Sequence, residues 1–197
     1  GYLPDAMVNY LGRLGWSHGD DEIFSRQQFL EWFNLDHLCR SAGQFDDAKL
    51  RWVNAQHMKL TPDDELAAML TPFLKNLGLD SITVSDGRLP RICALFKDRC
   101  DTLVDLAQWA RVFYEDAKPS AEDLATHVTP EIVPVIDALL QVLQESDWSK
   151  EAIAAGFKQV LKEHGIKMPQ LAMPVRVLTV GTAHTPSVDA VLALLGR

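Results

Sequence analysis

The sequence predicts an all-α fold. Apolar residues recur at helical spacing along most of the chain, and several segments open on residues that cap helices. No stretch alternates apolar and polar residues convincingly, as a half-buried strand would. The 197 residues are 47% apolar and 23% charged, an ordinary balance for a globular protein with a sizeable core.

Pro4 suits a first helical turn, and a helix over 6–14 should end at Gly15. Ser25, with Gln28 three residues on, is a capping-box signature that opens a short helix through Trp32. Asp46 or Asp47 caps a helix carrying Leu50 and Val53. Thr61 as a cap, Pro62 in the first turn and the acids 63–65 at the positive end of the dipole predict another helix start. That helix should run to about Asn76 and stop at Gly78, with Pro72 expected to kink or break it. Three stripes then follow at helical spacing: Leu103, Leu106, Ala110 and Phe113; Ile132, Ile136, Leu139, Leu140 and Leu143; Ile153, Phe157, Val160 and Leu161. Each is read as core. Between 168 and 195 two more helices are expected, one ending near Val180-Gly181 and one opening with Thr185 as cap and Pro186 as first-turn proline. Breakers fall at 79–90, at Lys118-Pro119-Ser120 and at 165–169. They suggest a division into 1–60, 61–148 and 149–197.

Composition excludes several classes. The apolar runs are too short to span a bilayer, so no membrane partner is expected. No basic stretch followed by an apolar one opens the chain, and Gly1 rather than Met stands first, pointing to a piece of a longer chain. Cys39, Cys93 and Cys100 are too few and too scattered for a disulfide framework or a zinc site, which fits reduced thiols in a cytoplasmic protein. No phosphate-cradling glycine loop, serine elbow, i, i+4 histidine pair or calcium loop is present, so no catalytic or metal-ligating residue is nominated.

The net charge of −8 argues against nucleic acid as a partner for the whole surface. The charge is segregated, however. Residues 152–197 carry five cations against two acids, a net of +3, which leaves −11 on 1–151. Arg88, Arg91, Lys97 and Arg99 form a second basic group. A local binding face on an acidic body is therefore possible.

Specific strings go further. Gly1-Tyr2-Leu3-Pro4-Asp5-Ala6, Asn9-Tyr10-Leu11 and Leu14-Gly15-Trp16-Ser17 resemble the segment beyond the signature lysine loop of glutamyl- and glutaminyl-type class I synthetases. Phe45-Asp46, Lys49-Leu50 and Trp52-Val53-Asn54 resemble the stem-contact region of that family. Arg99 with Asp101-Thr102-Leu103 resembles its bacterial glutamyl-type anticodon-binding helices. Pro174-Val175-Arg176, Leu178-Thr179, Gly181, Thr185-Pro186 and 192–196 resemble its carboxy-terminal subdomain. The likeness runs in order over essentially the whole chain.

The resemblance implies a stacked helical bundle of the bacterial glutamyl-tRNA synthetase anticodon-binding type. It assigns 1–60 to a remnant of the stem-contact region, and 61–148 and 149–197 to two anticodon-binding subdomains. The implied partner is the tRNA for glutamate, and a cytoplasmic monomer is expected. The parent would be a ligase attaching glutamate to tRNA with ATP and Mg; this fragment would hold no cofactor and be inactive alone. By resemblance Arg99 meets the third anticodon base, Thr185 and Pro186 touch the first two, and Arg176 lies near the same loop. Val188 stands where a leucine is usual, and Cys100 where a phenylalanine is common. A single basic face near Arg99 and Arg176 is expected. The rival reading from another class is a helical protein–protein interaction module, whose grooves take amphipathic partner helices.

Overall fold

Capping side chains open several helices of the computed structural model, which describes residues 1–39, 42–82 and 87–196. Eleven α-helices and no strand occur among these residues; a lone antiparallel bridge joins Trp16 to Leu38. The residues form two compact units, 1–110 and 111–197.

In the first unit α1 (Pro4–Gly15) opens on Pro4, and α2 (Arg26–Trp32) on the predicted capping box. Ser25 Oγ accepts from Gln28 N–H at 3.1 Å, and Gln28 Oε1 accepts from Ser25 N–H at 2.9 Å. Asp46 caps α3 (Asp47–Leu60) through the Lys49 N–H at 3.0 Å. Next come α4 (Asp63–Asn76), α5 (Arg88–Phe96), a 3-10 turn (Lys97–Arg99) and α6 (Leu103–Arg111). α1 packs on α2 and α3, α4 packs on α5, and the 3-10 turn packs on α3 and α5. Leu66, Leu70 and Leu74 of α4 and Leu89, Ile92 and Phe96 of α5 are fully buried.

Two expectations about α4 are corrected. The helix starts at Asp63, with Pro62 at the cap position. Thr61 instead serves the preceding helix, donating its hydroxyl to His57 O at 2.8 Å. Pro72 does not break α4, which runs through it. Pro72 and Ala68, whose carbonyl loses the i+4 donor, are both exposed, so that oxygen lies on the solvent side of the helix. The buried leucines on the opposite side hold the helix together.

The second unit holds α7 (Ala121–His127), α8 (Val133–Gln144), α9 (Lys150–His164), α10 (Met168–Val180) and α11 (Val188–Leu195). Its core joins Val135, Leu139 and Leu143 to Ile153, Phe157 and Val160, closed by Leu171, Val175, Val188 and Leu192. The α8 stripe is narrower than expected: Leu140 is half-exposed. Gly156 lets α8 and α9 approach, since a β-carbon there would lie 3.2 Å from Leu143 and Val142 side-chain atoms. α5 and α7 are absent from the sequence-based elements. The connector expected at 79–90 lies partly outside the described residues, at 83–86, and beyond Gly87 it is helix.

Candidate nucleic-acid interface

Arg99 closes the 3-10 turn, fastened on both sides. Phe96 before it is fully buried and stacks on Trp109, with ring centroids 5.1 Å apart. Lys97 pairs with Asp63 at 2.8 Å and donates to Thr61 O at 3.0 Å. Cys100 is 2% exposed, and burial pushes its thiol up to about 12. Its small side chain therefore points into the core. Thr102 then caps α6: its Oγ1 accepts from Asp105 N–H at 3.2 Å, while its own N–H and hydroxyl donate to Asp105 Oδ2 at 3.0 and 2.8 Å.

The Arg99 side chain itself is exposed. Among the described residues it has no hydrogen-bond or ion-pair partner. Asp101, a neighbour that could have neutralised it, faces Arg51 at 3.6 Å. Asp105 takes the same guanidinium at 3.5 Å. The turn thus presents one unneutralised guanidinium on a rigid base. Of the other cations in its sequence cluster, Lys97 is committed to Asp63, while Arg91 is exposed.

Sequence reasoning missed the two buried asparagines that set this turn in place. Asn54 on α3 is fully buried. Its oxygen accepts from Leu3 N–H at 2.7 Å, and its amide donates to Asp101 O at 2.5 Å. The Gly1 carbonyl accepts from Leu103 N–H at 2.8 Å. The first residues are thereby sewn to the segment after Arg99. Asn9 is equally buried; it accepts from Phe24 N–H at 3.0 Å and donates to Glu22 O at 2.9 Å. Those two bonds fix which end of the amide is oxygen. His57 Nε2, 2.8 Å from that oxygen, must therefore be the donor. Burial holds the His57 pKa below its ordinary value, against a weaker opposing pull from Asp5. Asn9 and Asn54 stood in the family-like strings, but no sequence signal marked them as buried.

A cleft of about 510 Å³ lies along α3, bordered by Arg51, Trp52, Ala55, Lys59, Asp98 and Asp101. Trp52 is 40% exposed and carries the Lys49 ammonium 4.1 Å from its ring centroid. Lys49 also pairs with Glu22.

In the second unit the structure gathers three of the sequence-predicted residues on one carbonyl. Arg176 Nη2 donates to Pro186 O at 3.1 Å, and Thr185 Oγ1 donates to the same oxygen at 3.0 Å. Gly181, at φ 80°, ends α10 and starts the loop that brings them together. The helix after the loop begins later than expected. α11 starts at Val188 with Ser187 at its cap, so Thr185 and Pro186 belong to the loop. Ser187 makes no side-chain cap, and no other side chain is bonded to the first-turn N–H groups among the described residues. Thr185 is 7% exposed and Val188 4%; Val188 packs in the core, where its shorter side chain is accommodated. Both therefore shape the loop, and the surface they support is backbone. Arg99 belongs to the first unit and the other four residues to the second.

Comparison with known proteins adds identity to this geometry. The profile of the anticodon binding domain matches residues 65–197, which include all five candidate residues. The profile of the class I tRNA synthetase (E and Q) catalytic domain matches residues 1–52. A glutamate–tRNA ligase from Delftia acidovorans is 71% identical over the whole chain, and one from Burkholderia vietnamiensis is 51% identical. The chain spans 42% of the length of each. The crystal structure of a glutamate tRNA ligase from Elizabethkingia meningosepticum in complex with its amino acid superposes with a TM-score of 0.87 at 26% identity. It covers all of this chain and 39% of that one. With the first profile taking in well over half of its residues, the chain belongs to the anticodon binding domain family.

Proposed function

We propose that the chain is the tRNA-reading part of a longer cytoplasmic, monomeric glutamate–tRNA ligase, with the tRNA for glutamate as its partner. The observation that carries this is Arg99: an exposed, unneutralised guanidinium on a braced turn within the anticodon binding match. Residues 1–60 serve as the stem-contact region, and 61–148 and 149–197 as two anticodon-binding segments; the packing units divide instead at 110–111. ATP and Mg belong to the part of the parent outside these residues. Alone, the fragment is inactive. No helix among the described residues is long and apolar enough to cross a membrane.

Arg99 reads the third anticodon base. Glutamate tRNAs carry cytosine there and glutamine tRNAs guanine. A free arginine favours guanine, which offers two acceptors. Selectivity for cytosine therefore requires a guanidinium held where a pyrimidine fits and a purine collides. The anchors on either side of Arg99 fix the backbone of the turn, and the tRNA itself would complete the hold on the guanidinium. In the second unit, the bond from Arg176 to Pro186 fixes the loop, so that the uncapped N–H groups of α11 and the loop backbone can meet the first two bases.

Arg99→Gln in the full-length enzyme should lose discrimination between glutamate and glutamine tRNAs by roughly 1–3 kcal/mol. Charging of both tRNAs by wild type and variant measures this. An unchanged preference moves base reading off Arg99.

A further inference from the structure

The two profile matches leave residues 53–64 to neither, and Asn54 stands in that gap. Its side chain is fully buried and reaches into both matched stretches. Oδ1 accepts from Leu3 N–H at 2.7 Å, on the catalytic-domain side. Nδ2 donates to Asp101 O at 2.5 Å, two residues past Arg99 on the anticodon-binding side. Among the described residues no other buried polar side chain bonds to both. Asn9 holds Glu22, Phe24 and His57, and Thr102 holds Asp105.

The amide has no second orientation. Flipping it would set nitrogen against Leu3 N–H and oxygen against Asp101 O, donor on donor and acceptor on acceptor. Nδ2 also lies 3.4 Å from Met58 Sδ, one turn on along α3. A backbone bond runs beside this link: Gly1 O accepts from Leu103 N–H at 2.8 Å. A β-carbon on Gly1 would lie 2.9 Å from Val104 Cγ2 and 3.0 Å from Val104 N, so residue 1 packs closely on the start of α6. The Arg99 turn and residues 1–3 are thus joined through buried, bonded atoms. Packed, hydrogen-bonded chains of this kind carry coupling between separated sites, because a close-packed interior transmits displacement.

We propose that Asn54 is a positioning residue. It registers the base-reading turn against residues 1–3, so that the correct third anticodon base speeds glutamate transfer in the rest of the parent as well as tightening binding. This rests on the tRNA-reading function proposed above. A residue with that task affects correct and incorrect tRNAs unequally, whereas a merely structural residue lowers the rate with both alike.

The test is steady-state charging, by the full-length ligase, of glutamate tRNA transcripts whose anticodon ends in cytosine or in guanine. In the wild type, kcat with the guanine transcript should be at least about tenfold below kcat with the cytosine transcript, and KM should be higher. In Asn54→Ala the kcat ratio should shrink to about one, through loss of the faster rate, while the KM ratio remains because Arg99 still meets the base. The variant leaves two buried backbone groups unpaired, so circular dichroism checks that it folds. A measurement on the wild type stands beside it. Hydrogen exchange at Leu3 N–H should slow several-fold when the cytosine transcript saturates the full-length enzyme, and not when the guanine transcript does. Phe24 N–H, held by Asn9, should be unchanged by either. A kcat ratio that survives Asn54→Ala, a wild-type preference confined to KM, or equal exchange at Leu3 with both transcripts overturns this inference alone. A wild type with no preference between the transcripts overturns the tRNA-reading proposal, and this inference with it.

Discussion

Single residues in this chain divide sharply by burial, and their chemistry follows. Cys93 and Cys100 are buried, and burial pushes both thiols up to about 12. Cys39 is exposed. A thiol reagent at neutral pH should therefore modify one cysteine per native chain and all three after denaturation; early modification of Cys93 or Cys100 would contradict the packing around the Arg99 turn. His57 gives a pH signature. Its folded pKa is depressed by burial, so the unfolded chain binds the extra proton first as the solution acidifies. The stability its neutral form contributes is fully present above the unfolded value of about 6.5 and is lost as pH falls from there through the folded value. His57→Gln keeps a donor for Asn9 and removes the titration. Denaturant midpoints measured between about pH 5 and 7 should fall with acid in the wild type and vary less in the variant.

At the level of elements, capping chemistry was the most legible signal. Ser25 and Gln28 form the bonds their spacing predicts, and Asp46 caps α3. Ser25→Ala should cost about 1 kcal/mol in the first unit, read from its unfolding midpoint. Where sequence failed, the reasons are physical. Thr61 looked like the start of α4 but bonds backward to α3, because two helices separated by so short a joint compete for one hydroxyl. Pro72 looked like a breaker, but a proline on a solvent face leaves its unpaired carbonyl open to solvent rather than buried. Thr185-Pro186 looked like a helix start, but Arg176 and Thr185 both bond the Pro186 carbonyl, and the helix opens beyond it. The exposure of Arg99 was invisible in the sequence, since Asp98 and Asp101 stand beside it as ready partners. Only the fold shows that Asp101 faces Arg51 instead.

For the whole molecule, the proposed tRNA partner is a polyanion, while the chain carries a net charge of −8. Steering must come from local cations. On α9, Lys158 and Lys162 are both exposed and four residues apart, opposite the stripe of Ile153, Phe157 and Val160 that fills the core. Neither has an ion-pair partner among the described residues. Such lysines bind phosphate as point charges and carry no base information. Lys158→Glu/Lys162→Glu should therefore weaken tRNA binding for any anticodon. The slope of log K against log salt should fall by about one for each phosphate that is no longer neutralised. Arg99→Gln should do the reverse, changing anticodon preference with less effect on the salt slope. The two variants, titrated with glutamate and glutamine tRNAs at several salt concentrations, separate positioning from reading. If the lysine pair changes preference while Arg99 changes only the slope, base recognition lies on α9 and the roles assigned to these cations are reversed.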